Sequence, residues 1–320
     1  MAFTSIEICA GAGGQAIGLH RAGFRHVKLV EYDDYAVKTL ILNEPSWKGK
    51  VIHKDLRDVK PQDLVRPGVR VDLLAGGIPC PPFSVAGKQL GKHDERDLFP
   101  EVIKLVRSLR PRALLIENVK GLMSHRFDHY RTEIKAALQD SGLDVVMWQV
   151  LDASQFGVPQ RRPRSVLVAL EPSAAPFFST PHGTSDPVTV GEALLPYLAH
   201  WSGGRAWANH ANEIAPTLVG GSRKHGGADL GPTGAKKAWA RLGVNGHLVA
   251  DGPPSPDHAG PLTLTVEHAA ALQGFPPDWK FAGGKTAQYR QVGNAFPPPV
   301  AEAVGRAIAA SLRKAPKNTQ

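Results

Sequence analysis

The stretch Val71-Asp72-Leu73-Leu74-Ala75-Gly76-Gly77-Ile78 reads as a strand, and Pro79-Cys80 follows it directly. In α/β sheets ligands gather outside the carboxyl ends of strands, so this reading puts Cys80 at the mouth of such a sheet. Working outward, residues 1–172 alternate strand-like and helix-like segments, the pattern of a mostly parallel sheet with crossover helices. Strands are expected at 4–9, 26–31, 71–75, 113–116, 145–150 and 165–170. Helices are expected at 15–22, 34–42, 98–109 and 130–139, where apolar residues recur three and four positions apart. A lone cysteine is ordinarily a small buried hydrophobe. Cys80 has company: Glu117-Asn118-Val119 stands at another strand end, and Gln160-Arg161-Arg162-Pro163-Arg164 is a basic run. A thiol, a carboxylate and several guanidiniums make a candidate nucleophile with an acid and an oxygen clamp.

From Pro172 the texture changes, with Pro, Gly, Ser and Trp frequent and the alternation gone. The reading therefore divides the chain into an α/β domain (1–172), a smaller loop-rich domain (173–285) and a C-terminal segment (286–320). Up to about residue 260 only short strands at best are expected. Helical signal returns at 266–273, with Thr265 as N-cap, and at 300–312 after Pro297-Pro298-Pro299. With 320 residues, 42% apolar and 21% charged, the chain has the composition of a globular protein with a full core. The start, Met1-Ala2-Phe3-Thr4-Ser5, has no basic region or apolar run, so no secretory leader is expected. No apolar run approaches a membrane span either. A reducing cytoplasm is the expected compartment, and the two cysteines, Cys9 and Cys80, exclude a disulfide framework. Net charge is +9, which favours a polyanionic partner. The stretch 200–245 concentrates this bias, with six basic residues against two acids and nine glycines.

The first expected strand ends in Cys9-Ala10-Gly11-Ala12-Gly13-Gly14 and a helix follows. Glycines there let the backbone turn tightly and approach a ligand at a helix N-terminus. Glu31 closes the second strand, twenty positions after Gly11, where an acid can hold a ribose diol. Gly11-x-Gly13-x-x-Ala16 with that acid also satisfies the dinucleotide fingerprint, so on these residues alone a nicotinamide oxidoreductase stays open. Asp55, at the end of an expected third strand, is a candidate acceptor for an adenine amino group.

Taken in order, the motifs resemble the DNA (cytosine-5) methyltransferase family of the bacterial restriction–modification type. Glu7-Ile8-Cys9-Ala10-Gly11-Ala12-Gly13-Gly14 resembles its first motif, Pro79-Cys80-Pro81-Pro82-Phe83-Ser84 its catalytic loop, and Glu117-Asn118-Val119 the acidic partner. The run 156–164, ending in Arg162-Pro163-Arg164, resembles its basic motif, and Leu272-Gln273-Gly274-Phe275-Pro276 and Gln291-Val292-Gly293-Asn294-Ala295 the last two. The resemblance implies a Rossmann-like, S-adenosylmethionine-dependent catalytic and cofactor-binding domain at 1–172, a target-recognition domain at 173–285 and a C-terminal helix packed back on the first. Carried over by position, the cofactor set is Cys9, Ala10, Gly11, Gly13, Gly14, Tyr32, Leu56, Pro79 and Leu98, with Glu31 on the ribose and Asp55 on the adenine. Asn294 and Phe296 would close that pocket from the C-terminal segment. No metal is implied. The sequence departs from the family pattern at Cys9, where most members carry an aromatic residue against the adenine, so any stacking falls to Tyr32. Glu7 replaces an aspartate, and the stretch Pro261–Glu267 lacks the family's arginines.

The chemistry explains the residue types. Carbon 5 of cytosine is a poor nucleophile, and adding the Cys80 thiolate to carbon 6 turns the ring into an enamine that can attack a sulfonium methyl group. A free thiol is mostly protonated at neutral pH, so Arg162 and Arg164 would favour the anion. Glu117 near ring nitrogen 3 would offset the charge loaded onto the ring, best with a raised pKa. Arg164 would grip the exocyclic oxygen and Asn118 would position the loop. The base must first be flipped from duplex DNA. The loop from Ser84 to Asp97 has the composition of a closing lid, so Ser84, Lys88 and Gln89 join Arg223, Lys224, Lys237 and Arg241 as candidate DNA contacts. Double-stranded DNA is the expected partner and a monomer the expected state, with a companion endonuclease as the implied counterpart. The rival readings are a transfer-RNA cytosine-5 methyltransferase and a catalytically silent DNA-binding relative.

Overall fold

The computed structural model describes residues 2–43, 50–66, 68–79, 97–183, 187–220 and 228–316. Seven strands form one sheet: β1 (Phe3–Ile8), β2 (Phe24–Glu31), β3 (Val51–His53), β4 (Leu73–Gly77), β5 (Ala113–Val119), β6 (Asp144–Asp152) and β7 (Pro163–Leu170). Their spatial order is β3-β2-β1-β4-β5-β7-β6. The first five run parallel and β7 opposes both its neighbours, so the sheet is mostly parallel with one reversed strand. The chain builds outward from β1 to β3 and then returns to place β4 on the other side of β1. That reversal is the switch point where an open α/β sheet forms its ligand crevice.

The period-two alternation of β5 decides which helices cover which face. Leu114 and Ile116 join a core with α4 (Phe99–Leu109) and α5 (Asp128–Gln139), whereas Ala113 and Leu115 join a core with α1 (Gly14–Arg21) and α11 (Pro298–Lys314). Helices α1 and α11 approach almost to backbone contact. A Cβ added at Gly18 would lie 2.4 Å from the Pro298 carbonyl oxygen, so only glycine admits that crossing. The C-terminal segment is thereby bound to the helix that follows the glycine loop.

A third core joins Ala16, Ile17, Leu29 and Leu40 of the α/β layer to residues between Val190 and Val292. Among the described residues this region is helical where short strands are expected: α6 (Val190–Leu194), α7 (Gly204–His210) and α8 (Thr233–Arg241), with only isolated bridges. Buried tryptophans anchor it, Trp207 on α7 and Trp239 on α8, with Trp201 alongside. Helix α9 (Val266–Leu272) starts where expected, the Thr265 hydroxyl accepting from the His268 amide at 3.2 Å. Helix α10 (Lys285–Asn294) precedes α11, and α2 (Asp34–Leu42) and α3 (Pro61–Leu64) flank β3. Among the described residues no helix is long and apolar enough to cross a membrane.

Candidate active site

A cleft of about 750 Å³ opens outside the carboxyl ends of β1, β2, β4 and β5, with the α10–α11 junction as its far wall. Its floor is the glycine loop. Cys9 has φ 50°, Gly11 54° and Gly13 88°, so the chain leaves β1 through left-handed conformations before entering α1. Cys9 carries the strain of a side chain there, and strain of that kind collects at functional sites. Its thiol is held neutral: burial, then the nearby carboxylates Glu31 and Asp55, push its pKa far up.

The glycines serve different ends. A Cβ at Gly14 would lie 2.4 Å from the Phe296 carbonyl oxygen, and one at Gly13 2.9 Å from the Trp279 ring. Trp279 also donates its indole N–H to the Ala12 carbonyl at 3.1 Å. The C-terminal segment thus clamps the loop and brings Asn294 and Phe296 to the cleft. Among the cofactor candidates, Gly13 caps α1 and faces Trp279, between Ala12 and Gly14 of the lining.

Glu31 ties β2 to the loop, one oxygen accepting from the Gly11 amide at 2.7 Å and the other from the Tyr32 and Asp33 amides at 2.8 Å. Burial raises its pKa and those three amides oppose the rise. Asp55 caps the short turn Leu56–Asp58 and lies in the fork of Arg57, at 3.0 Å from Nε and 2.6 Å from Nη2, which lowers its pKa. Any adenine amino group would share that carboxylate with Arg57. Tyr32 is 60% exposed at the rim, and Ala10, Leu56, Pro79 and Leu98 complete the lining.

At the other end of the cleft β4 and β5 pair with Gly77 opposite Glu117, three residues before Cys80. The Glu117 carboxylate meets Arg164 Nε at 2.9 Å, and both are largely buried. Burial raises the Glu117 pKa, opposed by Arg164 and then Arg162. The pair suits a site where a carboxyl must hold a proton while a guanidinium waits for an oxygen. Asn118 reaches back to the Ile78 carbonyl at 3.5 Å and accepts from the Val119 amide at 2.7 Å, so it links β5 to the strand end that leads to Cys80. Cys80 itself, with Ser84, Lys88, Gln89, Arg223 and Lys224, lies outside the described residues.

Arg162 acts on this pair through its charge and makes its hydrogen bonds elsewhere. It is completely buried and donates to the carbonyls of Leu218 at 2.8 Å, Gly293 at 2.7 Å and Ala295 at 3.0 Å, outside the cleft. In the fold it is a bracket between three distant segments. Gln160 and Gln273 extend the bracket, joined at 2.6 Å, with Gln273 also donating to the Ala295 carbonyl. Lys237 and Arg241 stand one turn apart on the exposed face of α8, above buried Trp239 and away from the cleft. The sequence reading missed Gln15, Arg57 and Arg290, which line the cleft. For Gln15 the available signal was its place in the first helical turn after the glycines.

The family model described as C-5 cytosine-specific DNA methylase matches residues 3–310. The chain is 53% identical over 313 residues to the type II methyltransferase M.NaeI of Lentzea aerocolonigenes, covering 96% of this chain and 75% of that one. It is 46% identical to M.NgoMIV of Neisseria gonorrhoeae, covering 98% and 99%. Among solved structures, the Entamoeba histolytica methyltransferase EhMeth superposes with a TM-score of 0.68 at 14% identity, over 98% of this chain and 99% of that one. Glycine loop, Glu117, Arg164 and C-terminal clamp thus stand in one cleft on a chain whose residues 3–310 match the family, and this protein belongs to the C-5 cytosine-specific DNA methylases.

Proposed function

We propose that the chain methylates carbon 5 of a cytosine flipped out of a specific duplex DNA sequence, as the modification partner of a restriction endonuclease. Family membership supports the reaction and the use of S-adenosylmethionine, and the type II methyltransferase relatives support the restriction–modification setting. When bound, that cofactor supplies an electrophilic methyl group on a sulfonium. The residues present suit it: an acid closes β2 beside a glycine loop, and buried polar side chains line the same cleft.

The observation that carries the reading is that the Glu117–Arg164 pair and the glycine loop share one cleft, with Glu117 in register beside the strand end before Cys80. Cys80 adds to carbon 6 of the ring, Glu117 holds a proton toward ring nitrogen 3, and Arg164 grips the exocyclic oxygen. Asn118 keeps the Cys80 strand end beside them. The region 173–285 reads the target sequence from across the cleft, with Lys237 and Arg241 meeting phosphates. The protein acts as a monomer in the cytoplasm.

The test is incubation with S-adenosylmethionine and duplexes carrying 5-fluorocytosine in many contexts, followed by denaturing mass spectrometry. Fluorine cannot leave carbon 5 as a proton does, so a covalent adduct at one short sequence, absent from Cys80→Ser, is the expected result. An adduct that survives Cys80→Ser, or one that forms only on transfer RNA, overturns the proposal.

A further inference from the structure

Two polar side chains that line the cleft are buried. Gln15, in the first turn of α1, is 3% exposed, and among the described residues neither Nε2 nor Oε1 has a hydrogen-bond partner. Glu7, on β1, is fully buried beside it and hydrogen-bonds to the Ala16 backbone. Leaving a buried amide unpaired costs roughly 1–3 kcal/mol, and protein interiors seldom carry such groups. Glutamine at a packing position would ordinarily be replaced by an apolar residue of similar shape, so its presence points to a ligand that completes it.

The position of Gln15 narrows what that ligand offers. A Cβ built on Gly77 would lie 3.9 Å from Gln15 Oε1 and 3.1 Å from Glu117 Oε2. The carboxamide therefore lies toward β4 and β5, on the opposite side of β1 from Glu31 and Asp55. By the family resemblance those two acids take the ribose and adenine of the cofactor. What remains of the cofactor is its amino-acid end, with an ammonium that donates and a carboxylate that accepts. A carboxamide is a neutral side chain that does both, with the donor and the acceptor on separate atoms.

We propose that Gln15 is a further ligand of the methyl donor, its Oε1 accepting from the ammonium and its Nε2 donating to the carboxylate of the amino-acid end. The inference rests on the cofactor reading above, and it assigns to Gln15 the discrimination between the whole donor and its truncated nucleoside. The Glu7 carboxyl adds acceptor capacity on the same floor.

Calorimetric titration of the wild type and Gln15→Leu with two ligands tests it. S-adenosylhomocysteine keeps the amino-acid end, and 5′-methylthioadenosine lacks it. Hydrogen bonds to charged groups contribute about 1.5–3 kcal/mol, so Gln15→Leu is expected to weaken S-adenosylhomocysteine about tenfold or more. Binding of 5′-methylthioadenosine should stay at the wild-type level, which also reports that the variant is folded. Should leucine disrupt α1, Gln15→Met gives the same comparison. Equal weakening of both ligands, or of neither, overturns the assignment, as does weaker binding of 5-fluorocytosine DNA with S-adenosylhomocysteine unaffected. A wild type that binds neither ligand removes the cofactor reading itself.

Discussion

The two ends of strands β5 and β7 carry the same kinds of groups and use them differently. At the amino end of β5, Arg112 Nε meets Glu171 at 2.7 Å and its Nη1 meets Asp72 at 3.3 Å, while Arg70 takes the other Glu171 oxygen at 2.9 Å. The second Asp72 oxygen accepts from the Thr4 amide and hydroxyl, and Arg112 also donates to the Leu312 carbonyl of α11. That network is closed, and it fastens β1, β4, β5 and α11 together. At the carboxyl end Glu117 meets Arg164 at 2.9 Å beside the floor of a cleft. A closed network spends its electrostatics on holding elements in place, whereas a pair open to a cleft keeps capacity for a substrate.

Exchanging the charge at each end should separate these uses. Glu117→Gln is expected to lower the methyl-transfer rate by about 10²–10³-fold, the usual scale of a lost proton donor, with little change in melting temperature. Glu171→Gln should do the reverse, costing on the order of 2 kcal/mol of stability with the rate per folded molecule unchanged. Kinetics and thermal melting on both variants make the comparison. A Glu117→Gln protein that melts early and turns over normally would place the structural carboxylate at the wrong end.

Glu7 sharpens the contrast: it is buried at the carboxyl end of β1, and its hydrogen bond is to the Ala16 backbone. Burial raises its pKa well above 4.5. The folded protein therefore holds this proton more tightly than the unfolded chain. The stability it contributes is complete below the ordinary glutamate value and is lost as pH climbs through the raised one, at about 1.4 kcal/mol for each unit of difference. Glu7→Gln carries no titrating group, so its stability should fall less than that of the wild type over that window. Denaturant unfolding at a series of pH values measures this, and parallel curves for the two proteins would show that Glu7 is not held neutral.

Much of this architecture was legible in the sequence, because β1, β2, β4, β5 and the helices α1, α2, α4 and α5 carry their own periodicity. The helices α6, α7 and α8 do not. They are short, and what fixes them is the burial of Trp207 and Trp239 against a core that also holds Ala16 and Leu29. At the site, ordered motifs pointed to Glu117, Arg164 and the glycine loop, which share one cleft. They could not separate Arg162 from Arg164, two positions apart, because the carbonyls that claim Arg162 come from residues 218, 293 and 295. Nor could they mark Gln15, whose distinction is the lack of a partner among the described residues of the folded chain.

The smallest expected effect lies outside the cleft. Lys237 and Arg241 extend one exposed face of α8, and if they meet phosphates they act through counterion release rather than by touching the base. Lys237→Ala should then weaken binding to every duplex by a similar factor and reduce the slope of log affinity against log salt by about one. Methyl transfer at saturating DNA should not change, since the residue is remote from Glu117 and Arg164. Titrations at several salt concentrations, on target and scrambled duplexes, distinguish the possible roles. An unchanged slope removes Lys237 from the phosphate contacts, and a loss confined to the target duplex makes it a reader of base edges. Either result would extend the contrast drawn within the sheet to the second region, where a cation is used for register on the DNA or for its sequence.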